Sequence, residues 1–127
     1  MSYTAENWPI TAALLQFPGV RPDGTSVQDA PAAEWQQVFE EVADAGFANA
    51  DLTDSWVRPG DLSSARLDEL AAAAQGAGIG LPAISAIRRS VIEEANWEDN
   101  LAYTHRTLDA AAQLGCEVVS IGLHQAL

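Results

Sequence analysis

Three glycine-centred junctions recur along the chain, and each joins a helical stripe of apolar residues to an apolar run as long as a β-strand. The junctions are Ala45-Gly46-Phe47, Ala77-Gly78-Ile79 and Leu114-Gly115-Cys116. Their glycines are 32 and 37 residues apart, a natural length for one strand plus one helix. Glycine readily takes the left-handed conformation that ends a helix, as we expect at Gly46. Alternating strands and helices of this kind predict parallel strands joined by right-handed crossovers.

The repeat predicts about four strands and three helices. The strands are expected at residues 10–17, 47–53, 79–87 and 116–123. The first helix is expected to be capped by Asp29, with Pro31 in its first turn, and the second by Ser63 or Ser64. We expect the apolar stripes of the first and third helices, including their tryptophans, to lie in the core. The residues concerned are Trp35 in the first helix and Trp97, Leu101, Leu108 and Ala111 in the third.

Composition and charge exclude several classes of function. The 127 residues include 18 acidic side chains, six arginines and no lysine, so the formal net charge is −12. Without lysine, these residues cannot form a Schiff base or a lysine-containing phosphate loop. The negative charge also opposes binding to nucleic acid. The chain shows neither a secretory signal nor an apolar run that could span a membrane, so we expect a cytoplasmic protein with no membrane contact. The single Cys116 is expected to be a core residue.

Two folds share this alternation of strands and helices. An open doubly wound sheet has about this length, whereas a closed barrel has eight such units and typically about 250 residues. Three details favour the barrel despite the length. The chain ends directly after its fourth strand, the first loop has no glycine-rich phosphate fingerprint, and the first strand ends in Gln16-Phe17 rather than in an acidic pair. We therefore predict an α/β fold of parallel β/α units, half of a TIM barrel, as a single domain over residues 1–127 that is truncated after strand four.

Three segments resemble the sugar-phosphate isomerases and epimerases of the xylose-isomerase-like TIM barrel superfamily. They are EWQQVFEEVADAGFANADL (34–52), LAAAAQGAGIGLPAIS (70–85) and NLAYTHRTLDAAAQLGCEVVSIGL (100–123), and each is similar to a helix and the following strand of that family. The resemblance covers almost the whole chain from about residue 10. It implies proton transfer next to a sugar carbonyl, assisted by a divalent metal (Mn, Mg or Zn) held on strands five to eight. Those strands lie outside this sequence, so no metal ligand is assigned within it.

In a barrel the working residues lie at the carboxyl ends of the strands and in the loops that follow them. His124 directly follows the fourth strand and is the candidate catalytic residue, since imidazole can exchange a proton near neutral pH. Its alternative role is to satisfy a loop carbonyl group. The candidate substrate-binding residues are Phe17, Asp54, Trp56, Arg88 and Gln125.

Each substrate-binding candidate has a structural alternative. Asp54 could bind a sugar hydroxyl or cap the following loop, and Trp56 could stack on a sugar ring or cover the end of the barrel. Arg88 could make a forked contact to a phosphate or carboxylate, or pair with Glu93, Glu94 or Asp54.

Two functions fit these residues. The first is the N-terminal part of a sugar or sugar-phosphate isomerase, epimerase or related carbohydrate lyase, with a small carbohydrate as substrate. The 127 residues alone are then expected to be inactive. The alternative is a non-catalytic half-barrel, a binding or scaffolding subunit that completes its barrel with a second copy or with a partner chain. An open half-barrel exposes two sheet edges and an apolar inner face, which favours association.

Overall fold

Four strands pair in parallel, in the order in which they occur along the chain. The computed structural model describes residues 10–124. Its strands are β1 (Ala12–Ala13), β2 (Asn49–Thr53), β3 (Gly80–Ala86) and β4 (Val118–Ile121), and its helices are α1 (Ala32–Asp44), α2 (Ser64–Gly76) and α3 (Trp97–Leu114). This arrangement confirms the predicted half of a TIM barrel. None of the helices within the described range combines the length and the apolar character that a membrane crossing requires.

The two faces of the sheet have different surroundings. Leu52 pairs with Ile84, and both are fully buried on the face that the helices cover. The opposite face carries Ala13, Asp51 and Val118, which lie on neighbouring strands, and Val118 is 57% exposed. The apolar core therefore lies between the sheet and its helices, and the inner face of the half-barrel is open.

The predicted glycine junctions are confirmed by the backbone. Gly46, Gly78 and Gly115 have φ angles of +96°, +72° and +74°. Side chains with a Cβ atom disfavour this left-handed region, so glycine ends each helix and directs the chain back into the sheet.

Two predicted boundaries near the start of the chain are wrong. The first strand was expected over residues 10–17, but only Ala12–Ala13 pair with β2, and a 3-10 helix follows at Leu14–Gln16. Asp29 does not cap α1, because it belongs to another 3-10 helix, Val27–Asp29, and Pro31 occupies the N-cap position. The cap of α2 is as predicted, since the hydroxyl of Ser63 accepts a hydrogen bond from the N–H of Arg66 (3.3 Å).

The buried face of α3 also differs from the prediction. Trp97, Leu101 and Leu108 were expected in the core, but they are 48%, 39% and 45% exposed. The helix instead buries a face that contains several polar residues, and these satisfy their own hydrogen bonds. Its buried residues are Asn100, Tyr103, Thr104, Thr107, Ala110 and Ala111.

Those polar residues can be buried because each has a nearby acceptor. The hydroxyls of Thr104 and Thr107 donate to the carbonyl oxygens of Asn100 (3.0 Å) and Tyr103 (2.8 Å), one helical turn earlier. The side-chain amide of Asn100 donates to the carbonyl oxygen of Ser90 in the loop before the helix (2.8 Å). A buried polar group that keeps its hydrogen bonds costs little, so polarity alone did not identify the exposed face.

Trp35 anchors α1 in the core. Its side chain is fully buried, and its indole N–H donates to the carbonyl oxygen of Val27 (2.9 Å). The guanidinium group of Arg66 lies 4.0 Å from the centre of a Trp35 ring. Arg66 also donates to the carbonyl oxygen of Ala30. Trp35 therefore joins α1 and α2 to the loop that follows β1.

Replacing the buried Trp35 should destabilise the protein more than replacing the exposed Trp97 of α3. Trp35→Phe removes the indole donor to the Val27 carbonyl, which keeps only the N–H of Ala30 (3.1 Å), and it leaves a smaller ring beneath the guanidinium of Arg66, so we expect a loss of about 1–2 kcal/mol in the free energy of unfolding. Trp97→Phe should change it by less than about 0.5 kcal/mol, because Trp97 lies on the surface. Urea unfolding followed by circular dichroism measures both. Equal losses would contradict the orientation of α3.

Asp61 joins the loop after β2 to α3 and to the loop after β3. Its carboxylate accepts hydrogen bonds from Arg58 (3.2 Å), Arg89 (2.9 Å) and Arg106 (2.9 Å). Burial alone would raise the pKa of Asp61, but the hydrogen bond from Arg106 and the charge of Arg89 outweigh it and hold the pKa below its ordinary value. Arg106 also donates to the carbonyl oxygen of Gly60 (3.0 Å).

The lowered pKa of Asp61 predicts a pH-dependent contribution to stability. A carboxyl group with a depressed folded-state pKa stabilises the fold above its unfolded-state value, about pH 4, and this stabilisation is lost as the pH falls through the folded-state value. Asp61→Asn should therefore lower the free energy of unfolding at pH 7, by at most about 1 kcal/mol because the residue is exposed and water screens its ion pairs. The difference from wild type should shrink below about pH 4.

Asp109→Asn is the matched control, because Asp109 is exposed on α3. Urea unfolding at several pH values measures all three proteins. If the deficit of the Asp61 variant were the same at pH 3 and pH 7, ionisation of Asp61 would not be the cause.

Candidate functional site

The candidate site residues of the described chain lie in the loops that follow the strands. Asp54 and Trp56 follow β2, Arg88 follows β3, and His124 follows β4. Phe17 follows the 3-10 helix after β1. Because the strands are parallel, their carboxyl ends meet at one edge of the sheet. The remaining candidate, Gln125, lies outside the described residues.

The end of β4 is attached to the loop after β3. The N–H of Gly122 donates to the carbonyl oxygen of Ala86 (3.0 Å), which extends the pairing of the two strands. The N–H of His124 then donates to the hydroxyl oxygen of Ser90 (3.0 Å), a residue that is only 1% exposed. The backbone of His124 is thus held beside this loop, although His124 as a whole is exposed to solvent.

Asp54 positions the same loop from the other side. It is only 3% exposed, and its Oδ2 accepts hydrogen bonds from the N–H of Arg88 (3.1 Å) and the hydroxyl of Tyr103 (3.5 Å). Burial, together with the charge of Asp54, raises the pKa of Tyr103 to about 12, so the phenol keeps its proton at neutral pH and remains a donor. Asp54 therefore holds the loop after β3 by hydrogen bonds, and its role in binding a sugar hydroxyl stays a prediction.

Arg88 differs from the other five arginines of the chain. Its guanidinium group has no hydrogen bond, ion pair or aromatic contact with the residues that the structure describes, and its residue is exposed. Each of the others has a partner. The paired arginines are Arg21, Arg58, Arg66, Arg89 and Arg106. The alternative in which Arg88 pairs with a neighbouring carboxylate is therefore not observed.

Phe17 and Trp56 line one cavity of about 150 Å³ on the α1 side of the loops. Trp56 is only 2% exposed and packs edge to face against Phe39, with ring centres 5.6 Å apart. The paired side chains of Arg21 and Glu34 (2.8 Å) also line this cavity. Trp56 is thus packed in the core, and sugar binding by Phe17 and Trp56 stays a prediction.

The inner face carries one further carboxylate. Oδ2 of Asp51 accepts a hydrogen bond from the hydroxyl of Ser85 (2.8 Å), whereas its Oδ1 is buried without a hydrogen-bond partner in residues 10–124. Burial, followed by the charge of Asp51, raises the pKa of Cys116 to about 11, so this thiol is protonated at neutral pH. A protonated thiol is a poor nucleophile, which agrees with a packing role for Cys116. Asp51 and Asp54 have different partners and do not form a carboxylate pair.

Ser90 and Tyr103 are not among the sequence-predicted site residues, although they hold the loops that carry Arg88 and His124. Tyr103 carried a sequence signal, because it shares one helical face with Asn100 and Thr107. From the sequence alone that face was expected at the surface, because it contains polar residues. Ser90 carried no signal, since a serine in a polar loop is common and only its contacts reveal its role.

Residues 10–124 contain no group of three or more His, Cys, Asp or Glu side chains that could hold a metal ion. These residues therefore do not fit a metal centre by themselves.

No protein-family model matches the chain, and the search of curated proteins found no significant match. Among solved structures, the chain is similar to a xylose isomerase-like TIM barrel protein from Mycobacterium smegmatis in complex with magnesium. The two share 38% identity and superpose with a TM-score of 0.87 over 99% of this chain. A D-psicose 3-epimerase solved in the presence of D-fructose is similar over 76% of this chain, with 22% identity and a TM-score of 0.54, which shows the fold alone.

The chain spans 41% of the length of the M. smegmatis protein and 33% of that of the epimerase. The parallel order of the strands and the helix after each of the first three agree with these barrels. The chain forms half of such a barrel. By its fold and its similarity to the M. smegmatis protein, it belongs to the xylose isomerase-like TIM barrel superfamily.

Proposed function

We propose that this chain is the N-terminal part of a cytoplasmic sugar or sugar-phosphate isomerase or epimerase. The observation that carries the proposal is the arrangement of Arg88 and His124 at the ends of adjacent strands, in a chain of this superfamily. In a barrel this edge faces the substrate. The four strands would supply one half of the mouth of the active site, and a carbohydrate would bind across it.

In this proposal His124 moves a proton. The reaction shifts a hydrogen on a carbon atom beside a sugar carbonyl, and imidazole can accept that proton and return it. Ser90 holds the backbone of His124 through a hydrogen bond of 3.0 Å, so the ring has a fixed point of attachment at the edge. Arg88 binds the substrate, and Asp54 acts as a positioning residue through the N–H of Arg88.

We also propose that the complete barrel uses a divalent metal, as the magnesium in the M. smegmatis structure suggests. Residues 10–124 contain no set of ligands for it, so the cation would be held by residues elsewhere in the barrel. The roles proposed for His124, Arg88 and Asp54 do not involve the metal.

The catalytic role of His124 can be tested in a complete barrel. Such a barrel is made by replacing the matched segment of the M. smegmatis protein with this chain, since the match includes 99% of the chain. Exchange of substrate hydrogen with D₂O, followed by NMR over a panel of ketoses, aldoses and their phosphates, reports proton transfer. We expect His124→Gln to reduce the exchange rate by about 10²-fold or more, because it removes a general acid–base group.

His105→Gln is the control, because His105 is exposed in the middle of α3, away from the strand ends. Its rate should remain within about twofold of that of the unmodified barrel, as expected for a surface substitution. A folded barrel that exchanges no hydrogen on any sugar of the panel would contradict the proposed function. Equal rates for the His124 and His105 variants would contradict the role of His124.

One observation favours the alternative, a non-catalytic half-barrel that associates with a second copy or a partner chain. Trp97, Leu101 and Leu108 form an exposed apolar stripe on α3, and Val118 is exposed on the inner face of β4. Exposed apolar surface next to an unpaired strand edge is a common site of association.

This alternative predicts a stable assembly of the 127-residue chain. Sedimentation equilibrium should give about twice the mass of 13.5 kDa if the partner is a second copy. The double variant Leu101→Glu/Leu108→Glu should then sediment as a monomer, because it places two charges in the apolar stripe. Asp109→Asn is the control and should leave the mass unchanged. A wild-type chain that is folded and monomeric at all concentrations would exclude self-association.

A further inference from the structure

The chain is strongly acidic, yet the loop after β3 presents an arginine whose guanidinium group has no partner among residues 10–124. The sequence contains 18 acidic residues against six basic ones, so each arginine could find a carboxylate. Five do so, whereas Arg88 pairs with no carboxylate in the part of the chain that the structure describes. Its neighbour Arg89 shows the contrast, because its guanidinium group donates to Asp61 (2.9 Å) and lies 4.2 Å from the ring centre of Tyr103.

The acidic groups near Arg88 are engaged elsewhere. Asp54 accepts the backbone N–H of Arg88 and the hydroxyl of Tyr103, not the guanidinium group. The carboxylate of Glu93 accepts a hydrogen bond from the side-chain amide of Asn100 (3.2 Å). The structure therefore leaves all five N–H donors of the Arg88 guanidinium available to a ligand.

The base of the Arg88 side chain is fixed although its end is free. Asp54 is 3% exposed, and its Oδ2 accepts two hydrogen bonds, whereas its Oδ1 is buried without a partner in residues 10–124. Here its bonds specify the position of the loop, and the N–H of Asp54 itself donates to the carbonyl oxygen of Ser85 (3.1 Å). A binding group held in place before the ligand arrives loses less entropy on binding.

The neighbouring strand places His124 beside the same loop. At Gly122 a Cβ atom would come within 3.2 Å of the carbonyl oxygen and 3.3 Å of the Cα atom of Ile87, so the end of β4 closely approaches the residue before Arg88. His124 follows two residues later and is bonded to Ser90. A guanidinium and an imidazole thus occur on adjacent loops, and a guanidinium fork matches the oxygen atoms of phosphate and carboxylate.

We infer that the loop after β3 is a subsite for the anionic group of a small sugar substrate, a phosphate or a carboxylate, with Arg88 as its anchor. The inference rests on the proposed function for the sugar part of the ligand, whereas binding of the anionic group depends only on this loop. Arg88 thereby sets the preference of the site for charged over uncharged sugars.

The test is an NMR titration of the ¹⁵N-labelled chain, whose mass of 13.5 kDa suits this method. The ligands are inorganic phosphate, a ketose phosphate, a sugar carboxylate and the corresponding uncharged ketose. We expect the charged ligands to shift the Nε–H signal of Arg88 and the backbone signals of the loop, at concentrations about tenfold or more below those that the uncharged ketose requires.

Arg88→Gln should weaken the binding of the charged ligands about tenfold or more, while Arg88→Lys should retain part of it because the charge is kept. Arg66→Gln is the control, since it removes the same charge from an arginine on α2 that has no contact with the loop after β3. Circular dichroism verifies that each variant is folded.

Comparison of the two charged sugars identifies the anionic group. Tighter binding of the ketose phosphate would indicate a phosphate subsite, and tighter binding of the sugar carboxylate would indicate a carboxylate subsite. If Arg88→Gln binds phosphate and both charged sugars as wild type does, or if the uncharged ketose binds equally well, the subsite is overturned. This outcome is distinct from failure of the proposed function. Loss of hydrogen exchange in the barrel assay, with Arg88-dependent anion binding intact, would exclude the isomerase proposal and leave the subsite in place.

Discussion

Parallel pairing of the four strands is the constraint on which the rest of this structure depends. Leu52 and Ile84 are fully buried between the sheet and its helices, which keeps the helices on one face. Each strand must then run in the same direction, so every loop that follows a strand emerges at the same edge. Arg88 and His124 come from different repeats of the chain, yet pairing of β3 with β4 places them on adjacent loops. The candidate site is a consequence of this topology.

Buried polar groups give the edge its shape. Asp54, Ser90 and Tyr103 are each at most 3% exposed, and each is hydrogen-bonded to a residue of another loop or helix. Such groups are costly to bury without hydrogen-bond partners. A different arrangement of the loops would break these bonds and leave the buried groups without water to replace them, so the observed arrangement is favoured. The edge therefore combines a rigid support with two exposed residues, Arg88 and His124. This combination suits a binding site, because the support remains in place while the free side chains contact the ligand.

The arginines divide into two groups that have different roles. Three of them surround Asp61 and join the loops after β2 and β3 to α3, and Arg66 covers Trp35. The chain contains no lysine, so these arginines are the cations that its acidic side chains pair with. The free guanidinium of Arg88 is the exception, and it gives a local positive charge at an edge of an otherwise acidic molecule.

The sequence by itself determined the order and number of the strands and helices. The three glycine junctions and the stripe of α1 are local signals, because backbone conformation and helical periodicity act within a few residues. It also determined that residues such as Arg88 and His124 follow strands. Tertiary structure decided which face of α3 is buried, because the hydrogen bonds of Asn100 and Thr107 offset their polarity. It likewise decided that Asp54 holds the loop of Arg88 while Arg88 stays free, since hydrogen bonding and desolvation depend on residues that are 34 or more positions apart in the chain.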